Sequence, residues 1–294
     1  MKTVIPHYYT QFRCIADRCV HSCCIGWEID VDADTLARYR TVGGALGKRL
    51  AAQIVDGAFV LDAQERCPFL NAQGLCDIIT ELGEDALCEI CAEHPRFRSF
   101  YSDREEIGLG LCCEEAARMV LTQTPPASFI ETGSEQPTPE EQAFFAFRKR
   151  LLSVVQDRSQ PLSARLQAAL DMCGAAVPDR DWVAVYRALE RLDESWTPRL
   201  AALQLPPPPL APEWDVPFEQ LAVYFLFRHL PGALEDGRLA ERVAFAVLST
   251  QVLQSLFAAG EQSMAALIEL ARAYSAEIEY SDENVDTLLC RLRT

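Results

Sequence analysis

The chain lacks any apolar run approaching the roughly 18 residues that span a bilayer. Its opening, MKTVIPHYYTQFRC, has no uninterrupted apolar core of a secretory leader. A soluble, cytoplasmic protein without membrane attachment is expected. Basic residues are scarce as well: 27 Lys plus Arg face 43 Asp plus Glu, for a formal charge of −16. Such a surface gains nothing from phosphate backbones or anionic lipid, which argues against nucleic acid as a partner. It draws in a basic protein or a lysine side chain instead. No segment repeats at solenoid spacing. No glycine-rich turn follows a strand, because Gly43-Gly44-Ala45-Leu46-Gly47 sits in a helical context, so no Rossmann-type cofactor site is legible. The cysteine triplet with a three-residue and then a two-residue gap is missing too, and radical chemistry is not predicted. Smallness is not a constraint, since 294 residues with 49% hydrophobic side chains fill a core without disulfides.

What is concentrated is cysteine. Ten of the 12 cysteines (Cys14, Cys19, Cys23, Cys24, Cys67, Cys76, Cys88, Cys91, Cys112 and Cys113) lie in the first 113 residues. In a reducing compartment clustered thiols serve as metal ligands or redox groups more often than as bridges. Cys88-Glu-Ile-Cys91 is the strongest local element. Its two-residue gap lets both thiolates turn toward one ion while backbone amides point at the sulfurs. A thioredoxin-like reading needs a βαβ frame that GEDALCEICAEHPR does not supply. In CVHSCCIGWEID, residues 19–30, a helical course would put Cys19 and Cys23 on one face and turn Cys24 about 100° away, so adjacent thiols need not share an ion. Ten thiols exceed one four-coordinate site. A [4Fe–4S] cluster with spare thiols, two separate sites, or zinc with structural cysteines all stay open. Within Cys112–Cys113, Cys113 is the candidate ligand. His21 stands among the cysteines, and His94 reads first as an ordinary loop histidine. Cys173 and Cys290 read as small buried residues.

The rest of the chain sorts into elements. VDADTLARYR starts a helix with Asp32 or Asp34 as cap. CPFLNAQGLCDII suits a hairpin whose arms bring Cys67 and Cys76 together. RFRSFYSDREEIGLGL offers a strand pair, and CCEEAARMVL a helix. Residues 124–140 have the proline, serine and threonine content of a linker. Beyond it the period is helical: Phe144, Phe147, Leu151, Leu152 and Val155 share a face, as do Trp182, Val185, Tyr186 and Leu189, both read as core stripes. The prolines of 204–214 force a stiff extended connector. LAVYFLFRHL is apolar on nearly every side and reads as a buried helix, followed by helices over Ala244 to Phe257 and Met264 to Tyr274. The expectation is a mainly α protein with small β elements: a cysteine-rich metal-binding region over 1–123, a linker over 124–140, and a helical domain over 141–294, the first packed on the last.

One ordered set of motifs carries a resemblance. Cys19-x-x-x-Cys23-Cys24-x-Gly26-Trp27, Cys67-Pro68-Phe69-Leu70, Leu75-Cys76, Leu87-Cys88-x-x-Cys91, Pro95-Arg96 and Cys113-x-Glu115-Ala116 resemble the flagellin lysine-N-methylase (FliB-type) family. That family sits within a wider group with a cysteine-rich, zinc- or iron-chelating domain. The likeness covers about residues 8–122; Tyr224, Phe227 and Arg228, and then Glu277-Ile278-Glu279, match the carboxyl half more loosely. Glu114 stands where proline is usual, Cys112 where a small residue is, and His94 where tyrosine is common. The resemblance implies methyl transfer from S-adenosylmethionine to lysine ε-amines of flagellin or a similar protein. It also implies an iron–sulfur cluster, [4Fe–4S], with zinc as the alternative. Cys19, Cys23, Cys24, Cys67, Cys76, Cys88, Cys91 and Cys113 are then the candidate metal ligands.

Displacing a sulfonium methyl requires a neutral amine in line with it, a group that strips the lysine proton, and exclusion of water. Tyr101, Glu115, Tyr224 and His229 are the candidate catalytic groups. The competing classes are a non-catalytic metal-binding or electron-transfer protein and an interaction protein with structural zinc.

Overall fold

Strand pairing between distant segments decides how this chain is divided. The computed structural model describes residues 1–293 and is mainly α-helical with small sheets. One compact unit comprises residues 13–96; the other joins residues 1–12 to those from Phe97 onward. The sequence instead suggests a boundary at 123 and a linker over 124–140. The difference arises because β1 (Lys2–Pro6) pairs in parallel with β5 (Arg104–Leu109) and antiparallel with β6 (Phe129–Thr132), a strand within the expected linker. With β4 (Arg96–Phe100) beside β5, the sheet order is β4-β5-β1-β6. The first residues are thereby stitched to the helical unit.

In the unit of residues 13–96, α1 (Ala33–Tyr39) starts at Asp32, whose carboxylate accepts the Thr35 N–H at 2.8 Å. Its other oxygen accepts the Glu89 N–H at 2.9 Å, at the start of α4 (Glu89–Glu93). One carboxylate thus caps two helices and sets Cys88 at the entry of the second. α2 (Gly44–Gln53) leads into the hairpin of β2 (Ile54–Val55) and β3 (Ala58–Phe59), turned by Asp56 and Gly57 at positive φ. The segment from Cys67 bends back through Asn71–Leu75, bridges Leu70 to Cys76, and enters α3 (Asp77–Leu82). Arg49 ties these pieces by donating to Asp77 and to the Pro68 carbonyl, at 2.8 and 2.9 Å. The unit's core is Ile29, Leu46, Leu50, Phe59, Phe69 and Ile78, with Cys67 and Cys88 among them.

In the larger unit, α10 (Asp215–His229) and α12 (Leu239–Ala258) are the buried central helices that the all-round apolar runs predict. Around them lie α5 (Glu114–Leu121), α6 (Pro139–Val155), α7 (Leu162–Asp171), α8 (Trp182–Arg187), α9 (Trp196–Arg199), α11 (Ala233–Asp236), α13 (Met264–Tyr274) and α14 (Asp282–Leu292). Phe144, Leu151, Leu152 and Val155 of α6 are buried, as are Trp182, Tyr186 and Leu189. Buried ion pairs orient the layers: Glu106 of β5 with Arg148 of α6, and Glu219 of α10 with Arg158 and Arg165. Between α13 and α14, Ser275–Glu279 widens into a π-helical turn, a distortion that recurs at functional sites. Glu277 leaves this turn to take Arg191 and the Leu192 and Asp193 N–H groups. Among the described residues no helix is long and apolar enough to cross a membrane.

Candidate functional site

Two places bring chemistry-bearing side chains together, one in each unit. In the unit of residues 13–96, Cys67 and Cys88 are buried in the core, and Cys24, Cys76 and Cys91 pack against it. The Cys67 N–H donates to the Cys24 carbonyl at 2.8 Å, which sets those two segments side by side. Thiols pair by hydrogen bonding, Cys23 with Cys24 and Cys88 with Cys91. The bond from Cys23 lowers the Cys24 thiol to about 7 against the opposing effect of burial. The bond from Cys91 likewise lowers Cys88, whereas Cys91 itself is raised. Burial pushes Cys67 up to about 12 and raises Cys76.

Near the surface, Cys14 Sγ accepts the Ala16 N–H at 3.4 Å and Cys19 donates to the His21 carbonyl at 3.1 Å. All twelve cysteines are free thiols. His94 is kept neutral by burial, with its pKa lowered to about 4, and its Nε2 is buried without a hydrogen-bond partner among the described residues. Five thiols in or against one core, in a unit that also holds an imidazole nitrogen without a partner, have the donor chemistry of a soft-metal or iron–sulfur site. Among the described residues, however, no three or more His, Cys, Asp or Glu side chains are arranged to hold a metal ion. The donors fit such a group by type and neighbourhood, and closing on it requires rotation of the hydrogen-bonded thiol pairs.

Cys112 and Cys113 belong to the larger unit. Cys113 stands at the residue preceding α5, without a side-chain capping bond, and packs on that unit's core; Cys112 donates to the Tyr280 hydroxyl at 2.9 Å. Cys173 is half-buried, its thiol on the Leu170 carbonyl at 3.4 Å. Cys290 corrects the expectation of a buried residue: it is exposed, because it falls on the solvent side of α14.

The second place centres on Glu279. Its carboxylate accepts the Tyr224 hydroxyl at 3.0 Å and the His229 Nε2–H at 2.6 Å, and the Arg228 Nε lies 3.4 Å away. Arg228 also donates to the Tyr224 oxygen at 2.8 Å, as does the Leu111 N–H at 3.3 Å. The guanidinium sits over the rings of Phe97 and Tyr280, at 5.1 and 5.3 Å. Burial alone would raise the Glu279 acid, but the Arg228 charge and the His229 bond hold it at about 2. Burial lowers His229, opposed by its bond to Glu279. A carboxylate can only accept, so neutral His229 carries its proton on Nε2 and leaves Nδ1 as the base. Nδ1 makes no hydrogen bond among the described residues, yet is not among the buried unpaired atoms. His229 lines a cavity of about 330 Å³, with Arg228 and Glu279, and one of about 680 Å³.

Of the four candidate catalytic residues, Tyr224 and His229 meet at Glu279. Tyr101 lines the larger cavity but binds Glu106, and Glu115 is engaged by Arg118 at 2.6 Å. Glu279 and Arg228 were not in that set. Their signal was present: an arginine and a histidine ending an apolar helix, and acids among Tyr274, Ile278 and Tyr280.

Comparisons with known proteins come from sequence. The chain is 26% identical over 159 residues to proteins named lysine-N-methylase from Salmonella typhimurium and Salmonella choleraesuis. Those matches cover 51% of this chain and 40% of each relative, so the chain matches less than half the length of these curated proteins. It is 29% identical over 126 residues to the flagellar biosynthetic protein FliU of Salmonella muenchen, covering 40% of this chain and 75% of that protein. No family model and no solved structure matches.

Proposed function

We propose that this chain, a relative of the FliB-type lysine-N-methylases, transfers the methyl group of S-adenosylmethionine to lysine ε-amines of flagellin or a similar protein. The kinship with named lysine-N-methylases carries the reading, and the neutral imidazole open to a cavity supplies what the chemistry needs. A lysine arrives as an ammonium ion and must lose a proton before its nitrogen can attack. His229 Nδ1 takes that proton, Glu279 holds the ring and balances the imidazolium that forms, and Tyr224 and Arg228 fix the carboxylate. The methyl then passes from sulfonium sulfur to nitrogen, the C–S electron pair leaves with sulfur, and a second proton is shed from the product amine.

The same reading assigns an iron–sulfur cluster, [4Fe–4S], to Cys24, Cys67, Cys76, Cys88 and Cys91 as available donors, with Cys19 and Cys23 as further thiols of the same unit. Bound there, it would cross-link the segments that carry those thiols and supply a Lewis-acidic metal to which a methyl donor's amino and carboxylate groups could bind.

Two measurements test the proposal. Anaerobically purified protein should be coloured, with a broad band near about 400 nm, and should transfer label from methyl-labelled S-adenosylmethionine to flagellin lysines. A colourless protein with stoichiometric zinc and no transfer would place the chain among structural-zinc interaction proteins.

A further inference from the structure

β4 ends the sheet, and its outer side takes no strand among the described residues. The turn at Tyr101–Asp103 returns it onto β5, with the Tyr101 N–H on the Arg104 carbonyl at 2.8 Å. In an antiparallel pair the inward and outward groups alternate, so the Phe100 N–H and C=O face the free edge. Edge strands with unpaired backbone groups are templates for another chain and are normally blunted by charge, proline or a covering element. Here the edge residue is Phe100, 68% exposed.

The cavity of about 680 Å³ is lined by Ser99, Phe100 and Tyr101 together with Arg228 and His229. Its arginines are neutralised: Arg228 by Glu279, Arg242 by Asp236 and Arg98 by Glu105. Glu140, Glu235 and Asp282 also line it and form no ion pair among the described residues. The uncompensated charge is therefore negative, within a chain of formal charge −16.

We propose that an extended, lysine-bearing segment of the acceptor protein adds as a strand to the free edge of β4, pairing with Phe100 and placing its lysine in the cavity lined by His229. The inference rests on the lysine-methylase reading and adds a mode of recognition. Main-chain bonds supply affinity with little demand on sequence, and the acidic rim selects the cationic side chain.

The test measures fluorescence anisotropy of a labelled peptide of alternating threonine and valine with one central lysine, titrated with the full chain. Methylating the peptide's edge-facing backbone amides should weaken binding at least tenfold, and replacing its lysine by norleucine should do the same. Phe100→Pro deletes an outward N–H and leaves the β5 ladder intact; it should bind at least tenfold more weakly than Phe100→Ala. Should Phe100→Pro not fold, the backbone-methylated peptide decides on the unmodified protein. Equal binding of methylated and plain peptides, equal binding by the two variants, or no binding of the plain peptide at millimolar concentration overturns the inference. Backbone-dependent binding without methyl transfer would remove the methylase reading and leave the docking edge standing.

Discussion

At the scale of single residues, Tyr224 shows how tightly the larger unit's polar centre is wired. Its hydroxyl donates to Glu279 and accepts from Arg228 and the Leu111 N–H, all within a buried helix. Tyr224→Phe keeps the ring and strands those partners. An unsatisfied buried group costs about 1–3 kcal/mol, so urea unfolding should show a loss of that size; an unchanged midpoint would mean that water replaces the hydroxyl. Tyr224 and His229 were legible because tyrosine and histidine are polar tips within the apolar run LAVYFLFRHL of α10. The acidic residue at Glu279 was visible as well, but its partnership with Tyr224 and His229 was not, because that depends on the π-helical turn that carries it toward α10, and no local spacing announces that turn.

Among the elements, the double cap is the most exposed to test. Asp32 accepts from Thr35 at the start of α1 and from Glu89 at the start of α4, and these bonds hold its carboxyl below the ordinary range. Asp32→Ala removes both caps, each worth about 1 kcal/mol. The unit of residues 13–96 should lose about 2 kcal/mol, and Cys88 should react faster with a thiol reagent; unaltered thiol reactivity would show that α4 starts without Asp32. The cap at Asp32, the β4–β5 pair and the buried helices α10 and α12 were readable from local pattern; the hairpin expected over residues 67–79 is only a turn with one bridge, Leu70 to Cys76, because its second arm enters α3. Strands β1 and β6 were not readable, since Lys2–Pro6 acquires its partners only from residues 104–106 and 129–132. Pairing over such separations leaves no periodic trace in a short segment.

Across the whole molecule, acid stability follows from the polar centre. Burial holds His229 neutral, its pKa below the ordinary 6.5, opposed by Glu279 and aided by the charges of Arg228 and Arg242. Glu279 falls from the ordinary 4.5 to about 2. Both shifts are downward, so both contributions are complete above the ordinary values and are lost as pH falls. The thermal midpoint should decline below about pH 6.5, and His229→Asn should flatten the part of that decline above about pH 4.5; an unchanged slope would assign it to other groups.

The central claim joins a base in the cavity to methyl transfer, and single-turnover transfer to flagellin by the wild type and His229→Asn across pH tests it most directly. The account predicts a defect of about 10²–10⁴ at neutral pH, shrinking toward about pH 10.4 as lysine loses its proton unaided. A variant that matches the wild type at neutral pH, or a defect of constant size at every pH, would contradict it.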